Sequence, residues 1–290
     1  MTNITFAVET DDALDPQIAG RFAARYGADP HRQIVRQAQA LWNPVLDTLL
    51  NHRSVRRFLA RPLPEGALEL LVAAAQSAPS SSNLQNWSLV AVESPEGKAK
   101  LATLCGGQKH VAQAPVFLVW VADLARSAAI AEAQNAPSEG LGYLESFLTA
   151  AVDVTLAAQS ALVALESMGL GGVFIGGVRN DIDGVARALD LPPQSAPILG
   201  LCVGWPHPEA QTAVKPRLPQ PIVLHREIYS SGQLDHVETY DRALSDFQAN
   251  QGAMTTGWTA SVLAKISGGA ALNGRQHLSG ALGRRGFALK

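Results

Sequence analysis

Asn51-His52-Arg53-Ser54-Val55-Arg56-Arg57-Phe58 is the stretch from which the fold can be read. Positions 52 to 57 hold one imidazole, three guanidinium groups and one hydroxyl, in a chain whose formal net charge is only -2. Val45, Leu46, Leu49 and Leu50 precede it at helical spacing, and Pro62 and Pro64 follow it. The charge therefore sits where a helix gives way to a loop. Two readings are open at this point. Arginine forks match phosphate oxygens, and Ser and His add short donors, so the cluster can grip an anionic cofactor. Cations also favour the negative C-terminal end of a helix, so the cluster can be a solvated helix end.

With 290 residues, 47% hydrophobic and 17% charged, the chain can bury one large core or two smaller ones. Its near-neutral charge excludes the broad basic surface of a nucleic-acid binder. Cys105 and Cys202 lie in apolar surroundings without a CxxC or other metal-ligand spacing, as expected of a reduced cytoplasmic protein. The acidic start lacks the basic and apolar regions of a signal peptide. Leu141 to Leu165 comes nearest to a membrane span, but Glu145 and Asp153 interrupt it. No His/Cys/Asp spacing suggests a metal, and no GxSxG elbow suggests serine hydrolysis.

Upstream of the basic stretch, helices are expected over 18–26 and 31–50, the latter restarted at Pro44 with Asn43 as its cap. Ile34, Val35, Ala38 and Leu41 would share one apolar face. Downstream, a helix is expected over 64–77, then a polar run, Ser80-Ser81-Ser82-Asn83-Leu84-Gln85-Asn86, then a strand over 87–92. Ser94-Pro95-Glu96 starts a helix that ends at Gly106-Gly107, and Gln108-Lys109-His110 follows. Val116 to Val121 reads as a buried strand. Gly140 to Met168 is the longest helical pattern, apolar on more than one face, and is expected to be buried as the spine of the core or of a subunit interface. A short strand over 173–175, a helix over 181–189 and a strand over 198–203 come next. Ile222 to Tyr229 reads as a strand, 233–250 as a polar helix with Tyr240, Leu244 and Phe247 inward, and 276–285 as a final helix. Few crossovers have clean βαβ spacing, which favours a mixed sheet wrapped in helices over a doubly wound one.

Polar clusters fall at the ends of regular elements, where rigid neighbours hold them. Ser80 to Gln85 reads as a site loop or an ordinary turn. Gln108 to His110 reads as a site or a simple connection, and Lys215 with Arg217 as a site or an exposed basic loop. Gly169, Gly171 and Gly172 precede their strand, whereas a dinucleotide fingerprint follows one. Taken together, the cations suit a phosphate dianion, and the Ser, Asn and Gln side chains suit the edge of a flat heteroaromatic ring. Flavin mononucleotide (FMN) fits this inventory.

The motifs His52-Arg53-Ser54-Val55-Arg56, Ser80-Ser81-Ser82 with Gln85, Gly106 to Val111, Gly171 to Asn180 and Lys215 to Pro219 follow one another in this order. In this the chain resembles the nitroreductase superfamily, most closely its oxygen-insensitive group A branch with the NADPH–flavin oxidoreductases. The resemblance runs from about residue 45 to the C-terminus. It implies a nitroreductase-like FMN-binding domain over 41–290, preceded by an N-terminal helical extension over 1–40.

The resemblance implies an α+β fold, with a mixed, mainly antiparallel sheet flanked by helices. It also implies a cytoplasmic homodimer with FMN at the interface, and no nucleic-acid or membrane partner. The activity implied is FMN-dependent NAD(P)H oxidoreduction: ping-pong hydride transfer to FMN N5, then to small-molecule acceptors such as nitroaromatics or quinones. A flavin reductase supplying free reduced FMN and a non-catalytic flavin-binding module are the alternatives. His52, Arg53, Ser54, Lys215 and Arg217 would hold the phosphate and ribityl chain. Arg56 would lie at the pyrimidine edge, where a guanidinium stabilises negative charge on the reduced ring. Ser80, Ser81, Gln108, Lys109 and His110 would line the cofactor. Gly176 would offer its N–H to N5, with Phe174, Ile175 and Gly177 around it. Ser82, Asn83, Arg179 and Arg275 would face the substrate. No side chain is expected to act as acid or base, and no metal is implied.

One departure concerns coenzyme choice. The branch carries arginines for the NADPH 2′-phosphate in a loop after the polar helix, but 249–257 here holds neither Lys nor Arg. NADH is therefore expected to compete well, with Arg179 and Arg275 as partial substitutes. The extension is expected to wrap the partner subunit.

Overall fold

The computed structural model describes residues 14–27, 32–210, 212–232 and 234–290, and the acidic start, His31 and Gln233 lie outside them. The chain forms two compact units, one from Met1–His52 with Ala213–Ser261, the other from Arg53–Thr212 with Val262–Lys290.

The first unit opens with α1 (Pro16–Tyr26), α2 (Arg32–Gln39) and α3 (Pro44–Leu50). Asp15 caps α1 by accepting from the N–H groups of Gln17 and Ile18. Asn43 caps α3, as expected, by accepting from those of Val45 and Leu46. Pro16 and Pro44 fill the first positions, where a missing N–H costs nothing. Ile18, Phe22 and Val35 form a small core, against which Trp42 and Leu50 pack. Leu41 departs from expectation at 73% exposed, because α2 ends at Gln39 and Leu41 lies in the turn beyond it. Arg21 ties α1 to α3, donating to Asp47 Oδ1 at 2.7 Å and to Asn51 Oδ1 at 2.9 Å.

The second unit contains α4 (Ala67–Gln76), β1 (Trp87–Val92), α5 (Pro95–Leu104), α6 (Lys109–Gln113), β2 (Val116–Asp123) and α7 (Ala125–Ala133). It continues through α8 (Leu144–Ser167), β3 (Gly171–Ile175), α9 (Ile182–Ala188) and β4 (Ser195–Gly204). α4 starts three residues later than expected, because Gly66 takes a left-handed conformation and bends the chain first. The sheet has the order β1-β2-β4-β3, and each described pairing is antiparallel. The fold is thus α+β, with its sheet at the antiparallel end of the expectation.

β2 is buried along almost its whole length, and α8 lies across the sheet. Ala150, Ala157, Ala158 and Ala161 line the inward face of α8, small enough to let the helix approach closely. α8 is long and apolar enough to cross a membrane by length and composition alone. It is not buried all round. Leu144, Leu148, Val152 and Leu156, four residues apart, are 52%, 53%, 46% and 38% exposed.

Beyond the sheet, α10 (Gln220–Val223) replaces the strand expected over 222–229. Pro219 and Pro221 explain this, since proline removes a ladder donor yet suits a helix start. α11 (Val237–Asn250) buries Tyr240 and Leu244 as expected. α12 (Gly257–Ile266) is a helix the sequence did not disclose. Its cap comes from a distance: the Asp241 carboxylate accepts from the backbone N–H groups of Trp258 and Thr259. α13 (Leu278–Arg284) closes the chain and belongs to the second unit.

Candidate functional site

The basic stretch is fastened to the second unit's sheet by its backbone. Val55 N donates to Gly172 O at 2.9 Å, Leu59 N to Trp205 O at 2.9 Å, and Arg57 O accepts from His207 N at 3.0 Å. Gly171 makes this approach possible, because a Cβ there would lie 2.6 Å from Val55 Cγ2. Gly171 and Gly172 therefore belong to β3 and seat the basic stretch, and only Gly169, with φ of 75°, precedes the strand as expected. Val55 is buried; Arg53 and Ser54 are half-buried and Arg56 is exposed. One apolar anchor thus fixes the backbone on which the polar side chains stand. Arg57 pairs with Glu209 at the surface.

β3 runs directly into a tight turn, Gly176–Arg179. A Cβ on Gly177 would lie 2.6 Å from Cys105 O and 2.7 Å from Gln108 Nε2, so no larger residue fits. Gln108 Nε2 donates to Cys105 O at 2.8 Å. Two motifs far apart in sequence therefore meet here. Gly176 is flanked by two cations: a Cβ on it would lie 3.3 Å from Arg179 Nη2 and 3.7 Å from Arg275 Nη1. Arg179 also donates to Ile198 O, and Arg275 Nε donates to Leu272 O at 3.0 Å. Burial, and then the neighbouring Arg275, pull Arg179 below the usual arginine range. The turn thus offers glycine backbone beside a pair of held guanidinium groups.

Phe174 is half-buried, whereas Ile175 is 2% exposed and belongs to the core, leaving its backbone to face a site. Lys109 is exposed. His110 is half-buried, and burial followed by the charge of Arg56 lowers its pKa, so it is a neutral imidazole at neutral pH. His110 Nε2 and Asn180 Oδ1 are buried polar atoms with no hydrogen-bond partner among the described residues.

The serine loop is held in an unusual shape. Ser82, Asn83 and Gln85 have φ of 48°, 54° and 52°, a left-handed region that residues other than glycine seldom enter. Such strain persists only where surrounding contacts enforce it. Asp153 Oδ1, buried in α8, accepts from Ser81 N at 3.0 Å. Arg126 Nη1 donates to Gln85 O at 2.9 Å, and Ser127 Oγ to Asn86 Oδ1 at 2.7 Å. Ser80 is half-buried, and Ser81, Ser82 and Asn83 are exposed. Sequence reasoning missed Asp153 and Arg126. The signal for Asp153 was present: one acidic residue on the apolar face of a core helix needs a polar partner.

His52, Lys215 and Arg217 lie in the first unit, and Arg25 of α1 brings them together. Arg25 is 6% exposed. Its guanidinium donates to Leu50 O at 3.1 Å, Lys215 O at 2.9 Å and His52 O at 2.6 Å. Its own carbonyl accepts from Arg217 N at 2.8 Å. Tyr240 OH adds a hydrogen bond to Pro216 O at 3.2 Å. Lys215, Pro216 and Arg217 are therefore pinned by their backbones at three successive residues. Lys215 and Arg217 are exposed and Pro216 half-buried, the alternation of an extended segment. Nothing in the sequence marked Arg25.

The chain matches the Nitroreductase family over residues 49–205 and the Nitroreductase family, C-terminal domain, over 215–290. It is 39% identical over 213 residues to an oxygen-insensitive NADPH nitroreductase of Salmonella typhimurium, covering 73% of this chain and 86% of that protein. It is 38% identical over 250 residues to an NADPH-flavin oxidoreductase of Vibrio harveyi, covering 85% and 99%. The structure of the NADPH:FMN oxidoreductase from Vibrio harveyi complexed with NAD+ superposes with a TM-score of 0.76 at 36% identity, covering 86% of this chain and all of that one.

Proposed function

This chain belongs to the nitroreductase family, and on that premise we propose what it binds, what it reduces and how it assembles. It is an FMN-dependent NAD(P)H oxidoreductase of the group A branch. FMN, when bound, would supply the two-electron chemistry between NAD(P)H and an acceptor. The acceptors are nitroaromatics or quinones.

The observation that carries this reading is the Gly176–Gly177 turn. Gly177 packs against Cys105 O and Gln108 Nε2 too closely for any side chain, which holds the turn's backbone in place, and Arg179 and Arg275 flank Gly176 with positive charge. A donor set of backbone N–H, amide, hydroxyl and guanidinium groups suits an isoalloxazine edge. Gln108 and Gly177, in contact, line the ring. Gly176 offers its N–H, with Phe174 and the Ile175 backbone beside it. Arg56 lies at the pyrimidine edge, where a fixed cation stabilises developing negative charge. Ser80, Ser81, Lys109 and His110 line the cofactor. Ser82, Asn83, Arg179 and Arg275 face the incoming substrate. His52, Arg53, Ser54, Lys215 and Arg217 hold the phosphate end. None of these residues needs to move a proton.

The assembly is a homodimer. The exposed stripe Leu144, Leu148, Val152 and Leu156 supports it, since a soluble chain seldom leaves such a row of apolar side chains in water. The location is cytoplasmic. The domain that binds FMN spans 41–290, with 1–40 as an extension to it.

The test varies NADPH and acceptor together in steady state. Parallel double-reciprocal lines with a nitroaromatic or a quinone fit this reading. Turnover only with free FMN would replace it with the flavin-reductase reading.

A further inference from the structure

We infer that Arg25, in a helix outside both matched regions, is a positioning residue for the cofactor phosphate. The inference rests on the FMN reading above. Families are matched from residue 49 onward, whereas α1 spans Pro16–Tyr26. Yet α1 delivers a buried side chain that contacts the backbone of both phosphate-side segments in the first unit. Arg25 donates to His52 O and to Lys215 O, and accepts from Arg217 N through its own carbonyl.

The physical consequence concerns entropy. Lys and Arg side chains on a free loop must be ordered when an anion binds, and that ordering subtracts from affinity. Here the order is built in. Arg25 presents donors in a fixed planar fork, which matches carbonyls set at different angles better than a lysine point charge would. It fixes the relative place of residues 52, 215 and 217 before any ligand arrives. α1 is itself held by the Ile18, Phe22 and Val35 core and by the Arg21–Asp47 pair, so the fork has a rigid base. The extension is thus a brace for anion recognition, and Arg25 acts through His52, Lys215 and Arg217 without touching the phosphate itself.

The assignment predicts an effect specific to the phosphate. Full-length chain stripped of flavin is titrated with FMN and with riboflavin, which has the same ring and ribityl chain without the phosphate. In Arg25→Ala, FMN affinity falls roughly tenfold or more while riboflavin affinity changes less than about twofold. Arg25→Lys gives an intermediate loss, and it carries the test if the alanine variant does not fold. Equal losses for the two flavins would assign Arg25 a general structural role and overturn the inference. Unchanged FMN affinity would also overturn it, while leaving the FMN reading intact. A wild-type chain that binds neither flavin would instead overturn the FMN reading, and the inference with it.

Discussion

The buried carboxylate of Asp153 accepts a hydrogen bond from the backbone N–H of Ser81 at 3.0 Å. The core helix therefore reaches out to hold the serine loop, whose next residues adopt left-handed conformations. Replacing Asp153 with Leu removes the acceptor and should speed amide exchange at Ser81 by roughly tenfold, the worth of one ordinary hydrogen bond. KM for the acceptor should rise in parallel. Asp153→Asn keeps an acceptor and should preserve most of the protection. Hydrogen exchange with mass spectrometry reads both variants, and unaltered Ser81 exchange in the leucine variant would refute the tether.

Arg217 stands on a backbone pinned by Arg25 and Tyr240. A charge-assisted contact to phosphate is worth about 1.5–3 kcal/mol, so Arg217→Ala should weaken FMN binding roughly ten- to hundredfold. Fluorescence quenching of FMN measures this. Wild-type affinity in the variant would remove Arg217 from the phosphate site.

His110 gives a pH dependence with a definite sign. Burial, and secondarily Arg56, lower its folded pKa below the ordinary histidine value of about 6.5. The stability this group permits is fully present above that ordinary value. It is lost as pH falls through the lower folded pKa, because the unfolded chain takes up the proton first. The slope should approach about 1.4 kcal/mol per pH unit within that window at most. Urea unfolding at a series of pH values should show a shallower slope in His110→Gln. Identical slopes would mean that His110 titrates alike in both states.

Cys105 and Cys202 are buried, and burial raises both thiols, Cys105 to about 12. The thiolate is the reactive form, so neither should react with a thiol reagent in the native protein. Two equivalents should react after denaturation, matching the 2 cysteines of the chain. Rapid native labelling would contradict the packing of α5 against the sheet.

Coenzyme choice should be lax. The segment after α11 is closed by Gln248 Oε1, which accepts from Thr256 N and Gly257 N at 2.9 Å each, and 249–257 contains no Lys or Arg. Without a cation for the 2′-phosphate there, kcat/KM for NADPH and NADH should differ by less than roughly tenfold. A large NADPH preference would show that Arg179, Arg275 or another cation reads the phosphate.

Where periodicity was strong, the sequence was informative. β2 and α8 stood out as long apolar runs, and Pro with Ser or Asn caps marked the starts of α3 and α5. Where a contact closed over distance, it was silent. α12 takes its cap from Asp241, and its Ala, Ser and Gly content hid its period. The 222–229 segment has strand-like residues, but the prolines beside it overruled their propensity. Short-range motifs singled out His52 to Arg56, Ser80 to Gln85, Gly176 and Lys215 to Arg217 as candidates. The residues that hold His52, the serine loop and Lys215 in place, Arg25, Asp153 and Arg126, lie up to 190 positions away from their partners. Only the folded chain brings such pairs together.

The most direct measurement is the visible absorption spectrum of the purified full-length protein under nitrogen, before and after adding NADPH or NADH. Bands of oxidised flavin that bleach on adding either coenzyme, and return with a nitroaromatic or quinone, are the predicted result. A colourless protein that stays colourless after incubation with FMN would contradict the account.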